Sequence, residues 1–121
     1  MNLTKVGVVM LGVKDLARSV AFYRDTLGVP LAQQIPGFAF FNAGGFTLVL
    51  AEPLARNSTQ IVGATEIVFA VDDVRAAYAA LKEKGVAFTQ EPRVVNPPMW
   101  AANFNDPDGH RMSVYGPEKK A

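Results

Sequence analysis

The hydrophobic pattern divides the chain into two similar halves. In the first half, the apolar and β-branched run Lys5–Val13 predicts a largely buried strand. Asp15 then predicts the start of a helix, Leu16–Leu27, whose apolar side chains recur at helical spacing and which Gly28 ends. Pro-Gly and Gly-Gly turns separate the three strands predicted next: Val29–Gln34, Phe38–Asn42 and Phe46–Ala51.

The second half repeats this order of elements. Glu66–Val71 predicts a strand, Asp73 starts a helix that Gly85 ends, and Val86–Gln90 predicts the strand after it. A proline-rich connection, Glu91–Pro98, leads to a final hairpin. One constant offset superposes Asp15 on Asp73 and Tyr23 on Leu81, which indicates an internal repeat.

The final hairpin, Trp100–Tyr115, turns at Asn105–Gly109, where Pro, Asp, Asn and Gly supply the chemistry of a tight turn. Phe104 and Met112 therefore lie on opposite arms. After the turn, side chains alternate between the two faces of the predicted strand. We expect the apolar side chains on one face, Met112 and Val114, to pack on a helix. The side chains on the other face, Arg111, Ser113 and Tyr115, are expected to face a possible ligand.

These elements predict an α+β fold of two tandem βαβββ modules. The modules would cover residues 1–52 and 64–121, joined by a linker at 53–63. Two half-barrels of this kind predict a half-open, β-barrel-like cavity with the helices outside. A chain of 121 residues is expected to form one such domain.

Composition narrows the classes of function. The net charge of +1 gives no electrostatic footprint for nucleic acid or an anionic membrane. The absence of Cys excludes disulfides and thiol chemistry. No apolar run reaches the ~20 residues of a membrane span, and no signal peptide is recognised at the N-terminus. We therefore expect a cytoplasmic protein.

Three segments carry a resemblance to a known family. They are the segment from Val13-Lys-Asp-Leu to Gly28, the repeat Val71-Asp-Asp-Val with its helix to Gly85, and the turn Asp106-Pro-Asp-Gly. In this order they resemble the vicinal oxygen chelate superfamily, which includes glyoxalase I, extradiol dioxygenases and bleomycin resistance proteins. The resemblance implies small-molecule binding, and it also implies a homodimer.

The resemblance also implies a metal site, which this chain does not match. Metal-using members place His or Gln, Glu, His and Glu on four strands, and the corresponding positions here are Val8, Val49, Glu66 and Ser113. Valine has no donor atom, and a divalent metal needs several donors at once. His110 is interpreted as a turn residue. We therefore predict that the inherited metal site is absent and that no cofactor is bound.

Strand alternation instead predicts a mainly apolar cavity with few polar groups, typical of a small-molecule site. Aromatic side chains are candidates for its walls, although core packing is the alternative for Phe40 and Phe104, and both interpretations remain open for Trp100. The candidate ligand-binding residues are Val8, Met10, Phe40, Val49, Glu66, Val68, Trp100, Phe104, Arg111, Ser113 and Tyr115.

The role of Glu66 admits two interpretations. An acidic group in an apolar cavity suits a general base. Alternatively, Glu66 pairs with Arg111, expected one step diagonally away on a neighbouring strand, and the pair satisfies both charges or recognises a polar ligand. No set of nucleophile, base and acid is apparent, so catalytic residues are not assigned.

The leading hypothesis is a metal-free protein that binds a small apolar or aromatic molecule. One alternative is an isomerase, lyase or dioxygenase-type enzyme that uses Glu66 or a non-standard metal. Another is a non-catalytic interaction protein. Whether a cavity is built within one chain or across a dimer stays open.

Overall fold

Each half of the chain builds a four-stranded sheet with a helix packed on one face. The computed structural model describes residues 1–4, 6–56 and 65–119. By its contacts the chain divides into two units, Met1–Gln60 and Ile61–Ala121. The predicted α+β class is confirmed, and neither sheet closes into a barrel. That the sheets line a shared cavity, and the proposed module boundaries, stay predictions.

The first unit contains strands β1 to β4 and two short helices. Its elements are β1 (Val8–Gly12), α1 (Leu16–Ala21), a π-helical segment (Phe22–Thr26), β2 (Leu31–Ile35), β3 (Phe38–Asn42), β4 (Thr47–Ala51) and α2 (Glu52–Arg56). The strand order is β1-β4-β3-β2, with β1 parallel to β4 and the other pairs antiparallel. The parallel pair requires a crossover, which contains α1.

Helix α1 departs from its predicted length. The single helix predicted over Leu16–Leu27 is α-helical only to Ala21, and Leu27 N–H then donates to Phe22 O at 2.9 Å, the wider spacing of a π-helix. Asp15 caps the helix as predicted, accepting from Arg18 N–H at 3.1 Å.

The segment predicted as a linker begins with a short helix. Residues 53–56 belong to α2, where Pro53 lies in the first turn, a position that tolerates a missing N–H. Glu52 Oε2 accepts from Leu16 N–H at 2.9 Å, so this carboxylate satisfies a second donor at the start of α1. The rest of the predicted linker, residues 57–63, lies outside the described residues.

The second unit contains strands β5 to β8 and one longer helix. Its elements are β5 (Glu66–Ala70), α3 (Val74–Glu83), β6 (Phe88–Asn96), β7 (Met99–Asn105) and β8 (Arg111–Pro117). The strand order is β5-β8-β7-β6, with β5 parallel to β8 and the other pairs antiparallel. The order repeats that of the first unit, as the internal repeat predicts.

Strand β6 is longer than predicted. The segment Glu91–Pro98 was expected to be a connection, but β6 continues to Asn96 with three shifts in its register against β7. Pro92 fits because β6 is an edge strand, where a missing N–H breaks no second ladder. The proline-rich composition therefore marks an irregular edge strand.

The core of the second unit lies between its sheet and α3. Asp73 starts the helix as predicted, with Oδ1 accepting from the N–H groups of Arg75 and Ala76. Met112 and Val114 are buried, as the alternation of the hairpin predicts. In the part of the chain that the structure describes, no helix is long and apolar enough to span a membrane.

Candidate functional site

The sheet of the second unit has one face that is directed away from α3 and carries most of the predicted polar site residues. The register pairs Glu66 with Arg111, Val68 with Ser113 and Ala70 with Tyr115. Strand β7 adds Ala101 opposite Tyr115 and Asn103 opposite Ser113. Directly paired side chains lie on the same side of a sheet. We call this surface, formed by these eight residues, the open face.

Glu66 is the centre of a polar cluster on the open face. Its Oε1 lies 3.1 Å from Arg111 Nη2 and accepts a longer hydrogen bond, 3.4 Å, from Asn103 Nδ2. Its Oε2 accepts from Ser113 Oγ at 2.9 Å. Donors from β8 and β7 thus converge on one carboxylate of β5, and both carboxylate oxygens are used.

The predicted pair of Glu66 and Arg111 is present, but its geometry differs from the diagonal arrangement expected. The two residues are direct partners in the parallel register of β5 and β8. The side chains are 31% and 49% exposed, respectively. A pair this open to water contributes at most about 1 kcal/mol to stability, so its position on a ligand-accessible surface is more informative than its strength.

Asn103 belongs to this cluster, although the sequence analysis did not select it. The residue is buried, and Nδ2 donates to Glu66 and, at 3.5 Å, to the carbonyl of Met112. Its Oδ1 is the buried side-chain oxygen for which no partner is found among the described residues. The hairpin register that places Phe104 opposite Met112 also places Asn103 opposite Ser113. This register could have identified Asn103 from the sequence.

Trp100 and Phe104, the candidates for which core packing was the alternative, do not lie on the open face. Both alternate with Ala101 and Asn103 along β7 and therefore point to the side of α3. Phe104 packs on Phe88, with ring centroids 5.4 Å apart. Trp100 lies in β7, and the guanidinium of Arg75 from α3 is 5.5 Å from its ring centroid.

The remaining candidates share one face of the first sheet. Met10 pairs with Val49, which pairs with Phe40, and Val8 pairs with Thr47 in the adjacent row. Val8 and Met10 are exposed, Phe40 is half-buried and Val49 is buried. This surface is apolar, and its side chains offer neither an acid nor a base.

The side chains at the implied metal positions do not fit a divalent ion. Val8 and Val49 offer no donor, and Glu66 already accepts from Ser113 and pairs with the Arg111 cation. A metal ion at Glu66 would have to displace or repel that guanidinium. Among residues 1–4, 6–56 and 65–119, no group of three or more His, Cys, Asp or Glu side chains is placed to hold a metal.

A comparison with known protein families agrees with the observed fold and its internal repeat. The model of the glyoxalase/bleomycin resistance protein/dioxygenase superfamily matches residues 5–114. The chain belongs to this superfamily. Within it, the chain is 30% identical to YraH of Bacillus subtilis, over 88% of this chain and 94% of that protein.

Two further superfamily relatives have different described roles. The metallothiol transferase FosB of Staphylococcus haemolyticus is 30% identical, over 85% of this chain and 76% of that protein. The crystal structure of TnmS3, an antibiotic binding protein from a Streptomyces species, matches with a TM-score of 0.79 at 27% identity, covering 98% and 99% of the two chains. The likeness therefore establishes the superfamily and does not choose between catalysis and binding.

Proposed function

We propose that this superfamily member binds a small apolar or aromatic molecule on the open face without using a metal ion. The observation that carries the proposal is that protein side chains already contact the Glu66 carboxylate, next to an exposed apolar side chain. Both of its carboxylate oxygens are engaged by protein donors, while Val68 beside it is 53% exposed. The description of TnmS3 as an antibiotic binding protein is consistent with this role.

The open face combines a polar end with an apolar surface. Glu66 and Arg111 occupy one end of the paired strands, Val68 comes next along β5, and Tyr115 lies at the far end of β8. An apolar group on Val68 would gain roughly 25 cal/mol per Å² of apolar surface removed from water. The phenol ring of Tyr115 offers a flat contact with a polar tip. Small-molecule sites usually combine these two features, because apolar contact supplies affinity and polar groups fix orientation.

The proposed metal independence has two reasons: the Arg111 cation beside Glu66 would repel a metal ion, and few donor atoms are available. We expect protein purified without chelators or a His tag to contain less than about a tenth of an equivalent of transition metal, because the available donors are too few. Inductively coupled plasma mass spectrometry measures this directly. A stoichiometric metal that is lost in the variant Glu66→Gln would contradict the proposal, because it would identify Glu66 as a ligand.

The variant Val68→Asp tests the location of the binding site. We expect it to weaken binding of a neutral aromatic ligand, selected beforehand by thermal-shift screening, at least about tenfold, because the new carboxylate must lose water beneath an apolar ligand. Calorimetric titration measures the affinity. The free energy of unfolding should change by no more than about 0.5 kcal/mol, because the side chain is exposed.

Val94 provides the matched control for this experiment. It is 50% exposed, close to the value for Val68, but it pairs with Trp100 and so lies on the side of α3. Val94→Asp should leave affinity unchanged. Equal losses in the two variants would exclude the open face as the proposed site, and a screen in which no apolar compound, neutral or acidic, stabilises the protein would contradict the binding role.

Acid–base catalysis by Glu66 is a second candidate, favoured by the remaining exposure of its carboxylate. A substrate of the isomerase, lyase or dioxygenase type would reach it without unfolding the sheet. Turnover that Glu66→Gln abolishes in a folded protein would support this role over simple binding. The homodimer, the cytoplasmic location and the absence of nucleic-acid binding stay predictions.

A further inference from the structure

We infer that the ligand of the open face carries a carboxylate and that Arg111 is the residue that binds it. The inference rests on the proposed function and assigns a chemical class to the ligand. It follows from an asymmetry in the ion pair between Glu66 and Arg111, from the position of Arg111 on the open face, and from the shape of the guanidinium group.

The two members of the ion pair are unequally satisfied. Glu66 receives contacts from Arg111, Ser113 and Asn103, which use both of its oxygens. Among the residues that the structure describes, the guanidinium of Arg111 has one recorded contact, from Nη2 to Glu66 Oε1 at 3.1 Å. Its side chain is also more exposed, at 49% against 31%. The capacity left for a ligand is therefore mainly that of a cationic donor.

The position of Arg111 relates this donor to the apolar part of the open face. Arg111 pairs with Glu66, and the next pair along the same two strands is Ser113 with Val68. Residues two apart on one face of a strand are separated by about 7 Å. A ligand anchored at the guanidinium would thus extend its apolar body over the exposed Val68, with Tyr115 farther along the same strand.

Carboxylate is the anion that suits this site. A guanidinium presents parallel N–H donors whose spacing matches the two oxygens of a carboxylate. A phosphate dianion is a poorer match, because a single cation already shared with Glu66 would leave its second charge facing that acid. A cationic ligand at Glu66 would be repelled by the Arg111 guanidinium, which lies 3.1 Å from that carboxylate. An apolar or aromatic monocarboxylic acid satisfies all of these conditions.

The test compares acids with neutral amides of the same shape. The probes are benzoate and benzamide, 2-naphthoate and 2-naphthamide, and octanoate and octanamide, each titrated calorimetrically into the intact protein at low ionic strength. We expect at least one acid to bind about fivefold more tightly than its amide, a modest factor because a half-exposed pair is screened by water. Arg111→Met should abolish this preference, because the acid loses a charge-assisted contact and the amide loses at most a neutral one.

Two further variants extend the experiment: one should increase the preference for the acid, and the other is a control. Glu66→Gln should increase the preference for the acid several-fold, because it removes the anion that competes for Arg111. Arg75→Met removes the same charge from α3, where Arg75 pairs with Glu118 and covers Trp100. It should leave the preference intact, which separates direct contact from a general loss of positive charge. Circular dichroism confirms that each variant is folded.

The outcomes separate the inference from the proposed function. Amides that bind as tightly as their acids would overturn the carboxylate assignment and leave binding on the open face standing. A preference that persists in Arg111→Met, or that falls equally in Arg75→Met, would overturn the role of Arg111. If none of the acids and none of the amides binds, the inference fails together with the proposal of an apolar ligand site.

Discussion

Replacing Phe104 by alanine is expected to lower the free energy of unfolding by about 4 kcal/mol. Phe104 is among the largest fully buried side chains of the described chain, and its ring packs on Phe88. Phe88 in turn lies 4.6 Å, between ring centroids, from Tyr78 of α3. Removing Phe104 therefore opens a cavity where the sheet and α3 meet. Urea unfolding followed by circular dichroism measures the loss.

Val68→Ala is the control for this variant, because both residues lie in one sheet but on opposite faces. Val68 is exposed, so its truncation should change the free energy of unfolding by no more than about 0.5 kcal/mol. Phe104→Ala should also leave the acid-over-amide preference intact, provided the protein remains folded. A stable Phe104→Ala protein with impaired ligand binding would instead support the original selection of Phe104 as a site residue.

The case of Phe104 shows what the sequence determines. The turn at Asn105–Gly109 fixes which residues of the hairpin oppose each other, and Asp106 Oδ1 accepts from the N–H groups of Asp108 and His110 at 2.9 and 2.8 Å, as the turn chemistry predicts. That register already assigns Phe104 to the side of Met112. Of the two interpretations open for Phe104, cavity wall or core, this register favours the core.

Other differences depend on interactions that local sequence does not encode. The hydrogen bond from Leu16 N–H to Glu52 joins residues far apart in the chain, and no periodicity in the segment after β4 indicates it. The shifts in register along β6 likewise depend on how an edge strand follows β7. Propensity and spacing define elements, whereas these contacts are set by tertiary packing.

The candidate site shows the same division. The resemblance to the superfamily singled out Glu66 and Ser113 on separate strands as positions of metal ligands, and the structure joins them through a hydrogen bond of 2.9 Å. It also adds Asn103 and makes Arg111 the direct partner of Glu66. These relations depend on the parallel register of β5 and β8, which forms across a crossover and has no local turn to fix it. The sequence therefore predicted the pair of Glu66 and Arg111, but not its direct register or the hydrogen bonds from Ser113 and Asn103.

Gly116→Ala is expected to lower the free energy of unfolding by about 3 kcal/mol, at the upper end for overpacking. Gly116 is buried in β8, and a Cβ atom built there would lie 2.0 Å from the carbonyl oxygen of Val71. Neither backbone can easily move away to relieve this clash. Val71 N–H donates to Tyr115 O at 3.0 Å, and Gly116 is paired with Trp100 of β7. The close approach of two backbones therefore requires glycine.

Gly7→Ala is the matched control, because a Cβ atom at Gly7 would meet nothing within 4 Å. Its free energy of unfolding should stay within about 0.5 kcal/mol of the parent value. Chemical denaturation of both variants measures the difference. Because Gly116 follows Tyr115 directly, the strain would also shift the far end of the open face, and a folded Gly116→Ala protein should bind its ligand more weakly. Equal stability of the two variants would show that β5 and β8 can separate at this point without cost, contrary to the packing described.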